Sequence, residues 1–282
     1  MFPYIGTKKK ELKFISPYFP WNIQHNENTI NHVYELFGGS CAVSKFILCN
    51  SSNKISSSTI NDILPVLIEL YKIINAGKDE VEKFINECEE LNNKYGMDNL
   101  AELQKILKTF NMDDTSRENV CMYYILCKRK RTPTLIDNTT KRCNFKTLLT
   151  DNKKLFEYKN SFIIKNESYK TILDELDKLP NEEKQKIFVY LDPPYLSSKN
   201  LSRDDGLCSR QAFESDNMVY MFELMIKNKN NGLKIMLNID NNDLYQYIFK
   251  LIDGSDNMIK TKYAKTYQIT KRKTEHLIIC NY

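Results

Sequence analysis

The chain has 282 residues, a hydrophobic fraction of 41% and a net charge of +5. That length suits one large α/β domain or one domain with a sizeable insertion, and the apolar content is too high for global disorder. No run of about 18 apolar residues exists and no apolar segment follows Lys8-Lys9-Lys10, so neither a membrane span nor a signal peptide is expected, and the chain reads as intracellular and soluble.

In chain order, residues 32–37 predict a short strand that ends at Gly38-Gly39, and residues 41–49 predict a helix. Strand, glycine turn and helix open a nucleotide-binding α/β unit. Residues 55–61 predict a second strand ending at Asn61-Asp62, with Pro65 in the first turn of a helix over 66–74. From Gly77 to Thr109 the composition shifts to Glu, Lys, Asn and Leu at helical spacing, and 118–127 predicts another helix. The core pattern returns with strands at 162–165, 187–191, 233–239 and 276–281, and helices at 169–179, 217–229 and 244–252. Alternating strands and helices imply a doubly wound, mostly parallel sheet. Residues 187–191 are wholly apolar, as expected of a strand buried on both faces.

Eight cysteines sit at 41, 49, 88, 121, 127, 143, 208 and 280, with no CxxC pair and only three histidines. Zinc spacing is absent, and scattered free thiols in a reducing compartment are expected. Positive charge is local. Lys128, Arg129, Lys130, Arg131, Lys141 and Arg142 face one acid, Asp137, and a second cluster runs through Lys260, Lys262, Lys265, Lys271, Arg272 and Lys273. Such patches suit a polyanion, and on charge alone a solvated surface fits as well.

Gly38 and Gly39 let backbone approach a ligand ahead of a helix N-terminus. Asp62 stands about 20 residues later at the next strand's end, where an acid binds ribose hydroxyls; a helix-capping role is the competing reading. Asp192-Pro193-Pro194-Tyr195 carries the strongest signal. Two prolines stiffen the backbone after a buried strand. The Asp192 carboxylate and the Pro193 carbonyl can each accept a hydrogen bond from one amine, and Tyr195 offers a flat face to a base.

These segments together resemble the Dam-type adenine-specific DNA methyltransferases, in the order cofactor motifs, target-recognition insertion, catalytic motif. Pro3-Tyr4-Ile5-Gly6-Thr7-Lys8 resembles the family's PYxGGK motif, with Thr7 in place of the second glycine. Glu35 to Ser40 resembles the cofactor loop, Asn61-Asp62-Ile63 the second-strand acid motif, Asn166 to Tyr169 a cofactor-adenine segment, and Asp192 to Tyr195 the catalytic tetrapeptide. Phe213, Asp216 and Tyr220 fit the helix after the catalytic loop, and 277–282 the final strand.

The resemblance implies a Rossmann-like methyltransferase fold. Residues 1–75 and 156–282 would form the catalytic domain, and 76–155 a largely helical target-recognition insertion. It implies S-adenosylmethionine as methyl donor, S-adenosylhomocysteine as product and no metal. Tyr4, Lys8, Phe37, Gly38, Gly39, Asp62, Ser168 and Asp192 would contact the cofactor. Asp192 and Pro193, with Pro194, would hold the amine of a flipped adenine, and Tyr195 would stack on it. Lys128, Arg129, Arg131, Lys141 and Arg142 are candidates for DNA contacts, and the loop 196–212 either closes over the base or is a plain surface loop. Double-stranded DNA is the expected partner, a cognate restriction endonuclease a further one, and a monomer the expected state. An RNA adenine methyltransferase and a non-catalytic binding protein on the same scaffold are the competing readings; cytosine methylation is disfavoured because Asp heads the tetrapeptide where Ser is usual.

Overall fold

The computed structural model describes residues 7–23, 29–50, 55, 57–97, 99–132, 135–136, 143–158, 162–194, 215–241, 243–251, 258–266 and 273–282. Short helical turns open the chain, α1 (Leu12–Ile15) and α2 (Pro20–Ile23). They lead into β1 (His32–Glu35), α3 (Ala42–Asn50), β2 (Ser57–Asn61) and α4 (Pro65–Ala76). A helical stretch follows, α5 (Lys78–Lys94), α6 (Leu100–Thr109) and α7 (Arg117–Arg129), then a small hairpin of β3 (Lys130–Thr132) and β4 (Leu135–Ile136), and α8 (Thr147–Asn152). The remainder runs β5 (Phe162–Lys165), α9 (Tyr169–Asp177), α10 (Asn181–Lys184), β6 (Ile187–Leu191), α11 (Ser215–Asn228), β7 (Lys234–Asp240), α12 (Asp243–Leu251), β8 (Ile259–Thr266) and β9 (Lys273–Cys280).

Among the described residues seven strands form one sheet in the order β5-β2-β1-β6-β7-β9-β8. Pairings from β5 through β7 are parallel, and β9 lies antiparallel between β7 and β8. The chain order reverses direction between β1 and β6, so the crevice beyond their C-terminal ends is where such a sheet binds ligands.

The apolar run of β6 explains its central place. All five residues are buried. Successive side chains on a strand point to opposite faces. Phe188 and Tyr190 accordingly join the core under α1, α3, α4, α5 and α7, while Ile187, Val189 and Leu191 join the core under α9, α11 and α12. Each fully buried side chain of this kind contributes roughly 1.5–3 kcal/mol of apolar burial, so a charge at Val189 would break the centre of the sheet. Helix α4 is apolar nearly all round because α5 and α7 cover the face it turns away from the sheet. The helical stretch after residue 76 therefore shares its core with the sheet.

Strand β8 was not legible in the sequence. Its inward residues Ile259, Thr261, Tyr263 and Lys265 include two polar side chains, so no apolar alternation announces it. The last strand also begins earlier than its apolar residues suggest, at Lys273 rather than His276, because β8 pairs it along its whole length.

Candidate active site

The glycine turn leaves β1 and is held from several sides. Gly38 N–H donates to the Asn61 carbonyl at 2.8 Å, and Cys41 N–H donates to the Gly38 carbonyl at 2.7 Å. Gly39 takes φ +50°, a left-handed value that glycine adopts without penalty. Gly39 N–H donates to Asp62 Oδ2 at 3.0 Å, and the Tyr71 hydroxyl donates to the Gly39 carbonyl at 2.7 Å. Asp62 also accepts from Leu64 N–H at 3.1 Å, directly before α4. The structure thus shows Asp62 at a helix entry and as an anchor of the glycine turn. Burial pushes its carboxyl up, against the hydrogen bonds from Gly39 and Leu64.

Neighbouring loops are tied in. The Asn61 amide donates to the carbonyls of Leu36 (3.2 Å) and Glu167 (3.0 Å) and accepts from Glu167 N–H at 2.9 Å. Asn166 donates to the Asp62 carbonyl at 2.8 Å. Ser168 caps α9, accepting from Lys170 N–H at 3.3 Å. Phe37 faces Tyr169 with ring centroids 5.0 Å apart. The ends of β5, β2 and β1 therefore present one connected rim, with strands about 4.8 Å apart.

Under the turn lies Glu35, whose carboxylate accepts from Ser44 N–H at 2.7 Å and Val43 N–H at 3.4 Å in the first turn of α3. An acid there satisfies donors that the helix start leaves open. Burial, with the Asp192 charge adding to it, raises the Glu35 carboxyl to about 7 against those hydrogen bonds. Its folded affinity for a proton exceeds the ordinary value of 4.5. Between pH 4.5 and about 7 the unfolded chain releases this proton while the folded one keeps it, so stability falls as pH rises through that window. The effect is on the order of 3 kcal/mol. Urea unfolding of wild type and Glu35→Gln at pH 5 and pH 8 checks this: the wild type should lose stability relative to the variant by about 2–3 kcal/mol on going to pH 8. A difference independent of pH would refute it.

Asp192-Pro193-Pro194 follows β6 on the same rim, next to the glycine turn. Lys8 Nζ lies 2.5 Å from Asp192 Oδ2, with the Lys8 side chain 6% and the Asp192 side chain 15% exposed. Burial pushes the Asp192 carboxyl up, and the Lys8 ammonium opposes it by charge and hydrogen bond. Lys8 is brought there by a turn: its carbonyl accepts from Glu11 and Leu12 N–H at 2.9 and 3.0 Å. Thr7, which departs from the glycine of the motif, accepts a hydrogen bond from Ser40 Oγ at 2.7 Å. The N-terminal segment is thereby fastened to the cofactor-type loop.

The family model of the D12 class N6 adenine-specific DNA methyltransferases matches residues 4–267. The chain belongs to that family. No curated protein matches it. Family membership covers both ends of the rim, from the segment bearing Lys8 to the strands beyond Asp192.

For a D12-class methyltransferase the interior placement of several charged residues is informative. Arg129 is 4% exposed at the end of α7, so in this conformation it does not present its guanidinium to a phosphate, against expectation. Lys128 is half-buried and donates to Thr147 Oγ1 at 2.6 Å. Arg131 lies on β3, and its side chain is outside the described part of the structure. Tyr4, Tyr195, Lys141, Arg142 and the loop 196–212 also fall outside the described residues. Of the second basic cluster, Lys262 is exposed, Lys260 stands 3.8 Å over the Phe249 ring, and Lys265 turns inward to Glu11 at 2.6 Å. Tyr71, Glu11 and Tyr263 were not singled out in the sequence; Glu35 entered only as the first residue of the cofactor-loop motif and Lys265 only as one of a basic cluster. Among the described residues no three His, Cys, Asp or Glu side chains converge as metal ligands, and no helix is long and apolar enough to cross a membrane.

Proposed function

We propose that the protein transfers a methyl group from S-adenosylmethionine to the exocyclic 6-amino group of an adenine flipped out of duplex DNA, releasing S-adenosylhomocysteine. The observation that carries this reading is the Lys8–Asp192 pair at the end of β6, beside the Gly38-Gly39 turn, in a D12-class chain. The donor set fits the cofactor. Asp62 is an acceptor for ribose hydroxyls at the end of β2, Lys8 a cation for a carboxylate, and the glycine turn a place of close backbone approach. Phe37 and Ser168 complete that rim. When bound, the cofactor supplies an electrophilic methyl on a sulfonium.

The chain's own residues handle the amine. An adenine amino group is conjugated and therefore a poor nucleophile. Asp192 and the Pro193 carbonyl each accept one of its N–H bonds, which draws the nitrogen out of conjugation and frees its lone pair. Burial raises the Asp192 carboxyl, and the Lys8 ammonium opposes that rise by charge and hydrogen bond, which favours the carboxylate as an acceptor. The proton lost on transfer leaves to water. No covalent intermediate is required, so no cysteine takes part; positioning and charge supply the rate. A base in a duplex is stacked and paired, hence the flipping step. We assign target reading to 76–155, with Lys128, Arg131, Lys141 and Arg142 as DNA contacts, and a monomer acting on one strand at a time.

The test is transfer from labelled cofactor to mixed-sequence duplex DNA and, in parallel, to single-stranded RNA, followed by nucleoside analysis. Labelled 6-methyladenine from DNA is expected. Label in RNA alone would replace the substrate, and cofactor binding without transfer would leave a binding protein on this scaffold.

A further inference from the structure

Behind the Lys8–Asp192 pair lies a second set of buried charges that no motif marks. Lys8 and Glu11 stand one helical turn apart, and both are 5% exposed. Lys8 reaches Asp192, while Glu11 receives Lys265 Nζ at 2.6 Å on one oxygen and the Tyr263 hydroxyl at 2.7 Å on the other. The Asn238 side-chain amide lies 3.1 Å from the same Tyr263 hydroxyl. A hydroxyl has one hydrogen, and the closer, charged carboxylate takes it; the amide, turned over, then donates its N–H to the Tyr263 oxygen. Asn238 is wholly buried on β7, one step beyond the Leu191–Leu237 pairing, and so stands beside Asp192. A continuous chain thus runs from Lys265 through Glu11 and Tyr263 to Asn238, under the carboxylate that ends β6.

Burying two cations and two anions together is costly unless each is matched. Here Lys8 with Asp192 and Lys265 with Glu11 balance to zero. An ordinary protein core would fill this place with apolar groups more cheaply, so the arrangement points to a task. We propose that Glu11, Lys265 and Tyr263, with Asn238, form a positioning unit that fixes Lys8 on Asp192 and sets the charge state of that carboxylate for methyl transfer. This rests on Asp192 being the ionised acceptor for the target amine.

Other titratable groups face the same place. They are Glu35 on β1, Tyr190 on β6, Asp240 farther along β7 and His276 on β9, whose ring lies 5.3 Å from Tyr263. His276 is held neutral, lowered to about 3 by burial and by Lys265 and Lys8. Burial works against the Glu11 charge, but Lys8, Lys265 and the Tyr263 hydroxyl more than offset it, so Glu11 stays ionised. At Asp192 the Glu11 charge raises the proton affinity and the Lys265 charge lowers it. The two members of the unit therefore push the carboxylate in opposite directions, and a purely structural pair would leave the kcat of folded variants untouched.

The experiment is the pH profile of methyl transfer to duplex DNA for Glu11→Gln, Lys265→Met, their double variant and Tyr263→Phe, each with thermal unfolding. Glu11→Gln should move the acid limb of kcat down by about half a unit or more, and Lys265→Met should move it up by a similar amount. The double variant should return the limb close to wild type. Tyr263→Phe, which removes one oxygen and folds most readily, should lower kcat about tenfold with the KM for DNA unchanged. Should Glu11→Gln not fold, the upward shift in Lys265→Met and the kcat loss in Tyr263→Phe still decide. Shifts of equal sign, or no shift in folded variants together with full kcat in Tyr263→Phe, overturn the proposal. Absence of 6-methyladenine from wild type overturns instead the reading beneath it, and an acid limb that persists in Asp192→Asn would assign the limb elsewhere and refute the charge-setting role.

Discussion

Asp192→Asn should lower methyl transfer about a hundred- to a thousandfold in kcat, with cofactor binding retained. Among the described residues the carboxylate is the only charged acceptor at the end of β6, and the amide replaces one acceptor oxygen by a donor that faces the Lys8 ammonium. The same change removes one partner of a buried ion pair. Taking the carboxylate charge away from Lys8, whose side chain is 6% exposed, should cost about 3 kcal/mol in urea unfolding. Loss of activity could then be mistaken for loss of fold, and Lys8→Met alone suffers the same ambiguity. The double variant Lys8→Met/Asp192→Asn separates the two effects. Removing both partners relieves the unmatched charge, so stability should recover most of the loss while transfer stays abolished. A single variant within tenfold of wild type would show that Asp192 does not hold the amine.

What the sequence revealed and what it hid follow from the range of the interactions. The buried run of β6 and the prolines after it are local, and they place Asp192 at a strand's end without any partner being known. The glycine turn, Asp62 and Ser168 are similarly short-range features, each within a few residues of its strand or helix. The positioning unit is not. Glu11 and Lys265 are joined only because β9 folds back antiparallel between β7 and β8 and carries β8 over the N-terminal turn. In the sequence Lys265 is one more lysine in a basic cluster, and its inward direction is set by strand parity that the mixed composition of β8 conceals. Arg129 misleads for the same reason: it sits in a basic run but belongs to the buried face of α7. Charge counted along the chain cannot distinguish a lysine matched in the core from one offered to DNA; burial can.

Thr7 shows the opposite case, a departure from the motif that the fold absorbs. A glycine at that position has no side chain, whereas Thr7 adds a hydroxyl that accepts from Ser40 and so links the first segment to the turn after β1. The link passes between two parts of the chain that both border Asp192, which makes the N-terminal segment part of the site's frame.

Gly38→Ala should destabilise the protein by about 1–3 kcal/mol and weaken cofactor binding by more than tenfold. A Cβ there would stand 2.7 Å from the Tyr71 hydroxyl, 2.9 Å from Ile60 Cγ2 and 3.1 Å from the Asn61 carbonyl. The first of these is a side-chain end, but Tyr71 is fixed by its hydrogen bond to Gly39, and the third is backbone at the end of β2. The turn must therefore rise from its bed, breaking the bond from Gly38 N–H to Asn61 and disturbing that from Gly39 to Asp62. A second substitution, Tyr71→Phe, removes the nearest atom. Gly38→Ala/Tyr71→Phe should recover part of the stability and little of the affinity, because Ile60 and Asn61 still displace the turn and the Gly39 carbonyl loses its donor. Calorimetric titration of S-adenosylhomocysteine with urea unfolding of the same samples measures both. Unchanged affinity in a folded Gly38→Ala would mean that the turn after β1 does not form the cofactor's bed.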